Sequence, residues 1–286
     1  MPIVKDRLNP RLQNILSLNN RQVQFTFSEE IDTISLKPEN FLIASDQDTL
    51  PILTLYPSLS TREIIAITGL QSDKVYEVSG YVYDKGENTG KFKRNFSGSS
   101  KTDTIAPWLV DYAKGKNTKE FFLKFSEAMD TAFHEFHIVP KKDFTVVWQN
   151  YRGCQLIPKT PFDSLHYDTT YYFYIEKGFA DISGNHLSPC ITDITPDTIY
   201  NPFILRSKVM INDTLVKAGL AVLKRGIALA IAKVENGEFA FEVRDSLPYG
   251  VEVISGKYSG SAEVSVGKED TIILKAEEAN IDSIIN

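Results

Sequence analysis

"FSEAMD" at residues 125–130 and "FSEEID" at residues 27–32 write the same pattern, Phe-Ser-Glu-x-x-Asp, twice in one chain. Their first residues, Phe27 and Phe125, are 98 positions apart (125 − 27). Other landmarks keep almost the same interval. "DRLNP" begins at Asp6 and "DTIAP" at Asp103, and "DKGEN" begins at Asp84 where "DISGN" begins at Asp181. Towards the end of each unit a tyrosine opens a strand-like run, Tyr76 in "VYEVSGYVY" and Tyr171 in "TTYYFYIEKGF". Landmarks in one order at near-constant spacing mark a tandem duplication over the first two-thirds of the chain.

Each unit reads as all-β. "RQVQFTFSE" and "KEFFLKFSE" alternate polar and apolar residues, the period of a strand with one buried face. "YYFYI" has the aromatic richness of a strand, and "KGEN", "ISGN" and "YRG" supply turns at short spacing with no sustained helical period. Some seven short strands in a unit of this size predict an immunoglobulin-like sandwich. "SGSSKTDT" (97–104) and "TDITPDT" (192–198) are the natural joints.

The order Asp-x-x-x-Pro, Phe-Ser-Glu-x-x-Asp, Tyr, Asp-x-x-Gly-Asn resembles the bacterial Ig-like domain of S-layer and other surface proteins, the SbsA type. The second unit fits through Phe125, Ser126, Glu127, Met129, Asp130, Tyr171, Asp181, Gly184 and Asn185. The first departs at Glu87, where the family usually has Gly. The last third has no such motif. Its "AVL", "ENGEFAFEV", "LPYGVEV" and "GKYSG" resemble carboxypeptidase regulatory-like domains, prealbumin-type sandwiches that are non-catalytic companions. Ala and Leu in "GLAVLKRGIALAIA" (219–232) favour a helix on propensity, whereas "KRG" and "ENG" favour strand, turn, strand, turn. The turns decide. The expected organisation is three consecutive β-sandwich domains: Ig-like over 1–102 and 103–198, regulatory-like over 199–286.

In an Ig-like sandwich the loop after the second strand and the loop between the last two strands lie at one end. Glu29, Asp32, Asp84 and Asn88 of the first unit should therefore meet there, as should Glu127, Asp130, Asp181 and Asn185 of the second. Carboxylates with an amide oxygen are the donor set of Ca²⁺. Asp and Asn at hairpin ends also cap their own backbone, and a seat filled twice argues for geometry more than catalysis. Both readings stand as expectations, the turn scaffold ahead of calcium.

No catalytic signature accompanies these acids. "HEFH" (134–137) lacks the spacing of a helical zinc motif, although His134 and His186 could share the Asp181 end; His137 and His166 complete the histidines. "GKNT" (115–118) fails as a phosphate loop, and neither G-x-S-x-G nor G-x-G-x-x-G occurs. Cys154 and Cys190 are too few for a disulfide scaffold; one bridge or two buried thiols are both open. Tyr171 to Tyr174 alternate faces, so the outward rings stack on sugar or pack against a neighbour.

With 31 basic and 37 acidic residues the net charge is −6, spread along the chain, which speaks against nucleic-acid and anionic-lipid partners. No apolar run reaches the roughly 20 residues that span a bilayer. "MPIVKDRLNP" is not a signal peptide, yet both resemblances imply a life outside the cytoplasm, so the expectation is a mature or excised piece of a longer chain. The reading is a non-enzymatic, cell-surface or secreted bacterial segment, structural or adhesive. Its expected partners are neighbouring domains, other surface proteins and polysaccharide. The alternatives are an ancillary carbohydrate- or protein-binding region of an extracellular hydrolase, and a calcium-stiffened array.

Overall fold

The computed structural model describes residues 7–46, 48–58, 60–114, 121–159, 170–194, 202–268, 270–277 and 280–285. Asp6, "GKNT", His166 and the 198/199 boundary lie outside them, as does the side chain of His134.

The first unit contributes β1 (Leu12–Ser17), β2 (Gln22–Phe27), β3 (Phe41–Ala44), β4 (Thr49–Leu50), β5 (Ile52–Pro57), β6 (Glu63–Thr68), β7 (Val75–Tyr83) and β8 (Thr89–Ser97). They form two four-stranded sheets, ordered β1-β2-β6-β5 and β4-β3-β7-β8. The second contributes β9 (Leu109–Lys114), β10 (Phe121–Phe125), β11 (Met129–Val139), β12 (Phe144–Gln149), β13 (Gly153–Pro158), β14 (Tyr171–Asp181) and β15 (Cys190–Ile194). Its sheets run β12-β13-β10-β9 and β11-β14-β15. The strand order repeats that of the first unit, with no counterpart of β4 among the described residues, so the duplication read from the hexapeptides is a duplication of topology. Val23, Phe25, Phe27, Ile43, Ile64 and Val78 fill the first core, and Phe121, Leu123, Phe125, Leu156, Phe173 and Phe179 the second. Both are closed by alternate residues of facing sheets.

The remainder holds β16 (Phe203–Ile211), β17 (Thr214–Leu215), β18 (Ala218–Arg225), β19 (Ile227–Glu235), β20 (Glu238–Val243), β21 (Tyr249–Ser255), β22 (Tyr258–Val264), β23 (Asp270–Ile273), β24 (Lys275–Ala276) and the helix α1 (Ile281–Ile285). It is one nine-stranded sheet wrapped over a single core. β23 pairs in parallel with β16 while β24 pairs with β22, which brings the two ends of the sheet together. The "KRG" and "ENG" turns fall where expected, at Gly226 (φ +78°) and at Asn236-Gly237 (φ 53° and 80°). The latter pair, both left-handed, suits the tight hairpin between β19 and β20.

The run 219–232 is apolar almost throughout because both faces of its hairpin are buried. Ala221, Leu223 and Ala230 face the core of the third sandwich. Leu220, Val222, Ala228 and Ile231 face Val139 of the second, together with Ile284 and Ile285 of α1. Asn280 caps α1 by accepting from the Ser283 N–H at 2.8 Å. The strand β6 is built in the same way. Ile64 and Ala66 enter the first core, while Ile65 and Ile67 pack with Tyr56 against Ala128 of the second unit.

Gly184 sits at φ +90°, and its counterpart Glu87, 97 positions earlier (184 − 87), is held at φ 65°. A side chain there strains the backbone, so Glu87→Gly should stabilise the first sandwich by about 0.5–1 kcal/mol. Calorimetry checks this, and a fall in its melting temperature would contradict it.

Candidate functional site

In both units the hexapeptide makes the same bonds. The Phe N–H donates to the carbonyl of Arg62 in the first unit and Arg152 in the second, each at 2.9 Å. The serine forms a two-way clasp. Ser28 N donates to Arg11 O and Arg11 N to Ser28 Oγ, both at 2.9 Å; Ser126 N donates to Trp108 O at 2.9 Å and Trp108 N to Ser126 Oγ at 3.0 Å. The fifth residue, Ile31 or Met129, is fully buried and its N–H meets the carbonyl of Thr61 or Tyr151. The closing aspartate caps the next turn, Asp32 Oδ1 accepting from Ile34 N at 3.0 Å and Asp130 Oδ1 from Ala132 N at 2.9 Å. Phe, Ser, the fifth residue and Asp all serve the corner.

The Asp-x-x-x-Asn corners are equally matched. Asp84 accepts from Asn88 N and from Asn88 Nδ2, both at 2.7 Å. Asp181 accepts from Ser183 N (2.7 Å), Asn185 N (2.9 Å) and Asn185 Nδ2 (2.8 Å). Burial penalises the Asp84 carboxylate, yet the Asn88 and Gly86 donors outweigh it and hold its pKa below the ordinary value. The corners meet as the topology requires, through the Ile31–Asp84 bridge and the Ile182 N bond to Ala128 O.

Of the eight candidate ligands, Glu127 and Asp181 come together, and Asn185 is bound to Asp181. Asp32 and Asp130 turn to their local amides. The residue that the sequence reading missed is Asp103. Its carboxylate joins those of Glu127 and Asp181 with oxygens within 4.8 Å of one another. The signal was present, since Asp103 is the first residue of "DTIAP", used there only as a landmark. The first unit adds its own groups: Asn19 Nδ2 donates to Asp103 Oδ2 at 2.9 Å, and Gln22 Nε2 reaches Asp103 Oδ2 (3.2 Å) and Glu127 Oε2 (3.3 Å). The cluster therefore lies in the joint between the two units.

Glu127 carries the strain of this arrangement. Its desolvation, then the charges of Asp181 and Asp103, push its pKa up to about 7. Arg152 braces the same joint. It donates to Phe125 O (3.2 Å) and to Pro57 O of the first unit (3.3 Å), and lies 4.4 Å over the Tyr56 ring. Chemically, three close carboxylates can share a proton or hold a hard cation.

Among the described residues the other candidates lie outside this carboxylate cluster. Cys154 and Cys190 are separate thiols, and burial pushes Cys154 up to about 12 and Cys190 upwards, the reverse of an activated nucleophile. Of the aromatic run, Tyr171 and Phe173 are core, while Tyr172 and Tyr174 pack in the joint with the third sandwich. His137 lies 3.5 Å from Asp282 and stacks on Tyr174; His186 is exposed. Among the described residues no helix is long and apolar enough to cross a membrane.

No family model and no curated protein matches the sequence. Among solved structures the chain is similar to the surface layer protein SbsC, domains 1–6, at 13% identity and TM-score 0.31, covering 91% of this chain and 41% of that one. It is also similar to Escherichia coli alpha-2-macroglobulin domains MG0-NIE-MG1 (11%, TM-score 0.29, 89% and 96%). A third is the Bacteroides ovatus glucan-locus protein SGBP-B in complex with a mixed-linkage heptasaccharide (13%, TM-score 0.25, 80% and 65%). The chain spans about half the length of the SbsC chains it matches, 41–54%.

Proposed function

We propose that this chain is a non-catalytic structural or adhesive segment of a bacterial cell-surface or secreted protein. In this role it holds three sandwiches in fixed mutual positions, and its partners are neighbouring domains, other surface proteins and envelope polysaccharide. The observation that carries the reading is the construction of the joints. Strand faces that a free-standing sandwich would give to water are instead apolar and buried against the next unit, at Ile65 and Ile67 on one side and at Leu220 and Val222 on the other. Protease shaving of intact producing cells tests the location. Peptides of this chain should be released before lysis, and full protection until lysis would contradict the reading.

A calcium-stiffened form of the same scaffold is favoured by one observation, the meeting of Asp103, Glu127 and Asp181 at the first joint. The residue set fits a hard divalent cation, with carboxylates from the linker and from two corners of one sandwich. An ion there would neutralise the repulsion that burdens Glu127 and tie the linker to the second unit.

A further inference from the structure

The geometry points to the groove at the first joint as a binding site for an acidic polysaccharide, a uronate-bearing glycan whose sugar ring stacks on Trp108. The site rests on the surface reading above and goes beyond it by naming a ligand class. The groove has a volume of about 770 Å³, within the range of small-molecule clefts. Its open side is formed by Leu18, Ile105, Trp108 and Val110, all exposed, with the Lys101 and Lys124 side chains beside them.

Trp108 is 58% exposed although it is one of only two tryptophans in the chain. Folding does not require it. The serine clasp grips only the backbone at this position, and the first unit completes the same clasp with Arg11. An indole has therefore been set on a position where the fold accepts a guanidinium. That clasp fixes the backbone from which the indole projects, and a flat apolar ring edged by polar groups suits the C–H face of a pyranose.

Charge selects the glycan class. The acids of the groove lie in its floor, Asp103 buried and Glu127 half-buried, each accepting from an amide of the first unit. The exposed charged side chains that line it are Lys101 and Lys124, both cationic, with the exposed Asp111 standing across the strand pair from Lys124. A carboxylate on the sugar meets these lysines, while its hydroxyls reach Ser126 and Glu127 in the floor. Since the whole chain carries −6, a polyanion gains nothing from its overall field, and binding must come from this local rim.

The test is affinity electrophoresis of the whole chain in EDTA, through gels containing polygalacturonate, dextran or poly-glutamate. Polygalacturonate alone should retard the protein. Trp108→Ala should weaken retention by about tenfold, and the double variant Lys101→Gln/Lys124→Gln should weaken it comparably and remove its salt sensitivity. Circular dichroism melts should match wild type for both, because all three side chains are exposed. Equal retardation by dextran would overturn the acidic class, and equal retardation by poly-glutamate would reduce the effect to charge. No retardation, or none lost in Trp108→Ala, would overturn the site. Surface release in the shaving experiment without retardation sinks the groove alone; retardation of a chain found inside the cell sinks the surface reading alone.

Discussion

Phe125→Ala should cost the second sandwich about 3–5 kcal/mol, the largest loss expected from any single truncation in the hexapeptide. The ring is fully buried and sits 5.3 Å from Phe179 and 5.8 Å from Trp148. Its removal leaves a cavity between the two sheets that neighbouring strands, held by the Arg152 and Trp108 backbone bonds, cannot close. The chain provides its own probe, for both tryptophans, Trp108 and Trp148, lie in this unit. Urea unfolding followed by tryptophan fluorescence reads this sandwich without signal from the other two. An unchanged midpoint would show that Phe125 is not the keystone of the corner.

Glu127→Gln, two residues further on, should act in the opposite direction. Because burial and the neighbouring Asp181 and Asp103 raise the folded pKa of Glu127 to about 7, the folded protein keeps a proton that the unfolded chain has released. Stability from this group is thus full below about pH 4.5, declines as pH rises towards 7, and is absent above it. Glutamine retains an acceptor for Gln22 and carries no charge. In EDTA at pH 8 the variant should therefore be more stable than wild type by about 1–2 kcal/mol, after allowance for solvent screening of a half-buried group. At pH 5 the two should agree. Added CaCl₂ should raise the wild-type melting temperature at pH 8 and leave the variant nearly unmoved, since a cation bound to the folded state stabilises it by mass action. A wild-type curve indifferent to both pH and calcium would show that the three carboxylates do not feel one another.

Much of the fold was legible because strands and turns leave local signals. The matched offsets of Phe27 and Phe125, and of Asp84 and Asp181, announced the duplication, and "ENG" announced a hairpin against the helical propensity of its neighbours. The joints are legible too, in a broken alternation. "EIIAIT" (63–68) and "GLAVL" (219–223) break the polar–apolar alternation, and a strand does so when both faces are buried. The acidic cluster was only half legible. Glu127 and Asp181 follow from the sandwich topology, but Asp103 comes from the linker, and its approach depends on how Asn19 and Gln22 of another unit meet it. Packing between units sets that approach, and no period within one unit records it.

Small-angle X-ray scattering of the intact chain, compared with Ile67→Glu and Val222→Glu, tests the locked array most directly. Ile67 and Val222 are fully buried, one in each joint. A locked array gives a wild-type profile described by one fixed arrangement of the sandwiches, and a broader ensemble once a charge is forced into either joint. A wild-type profile that already requires many inter-domain angles, unchanged by both substitutions, would contradict it.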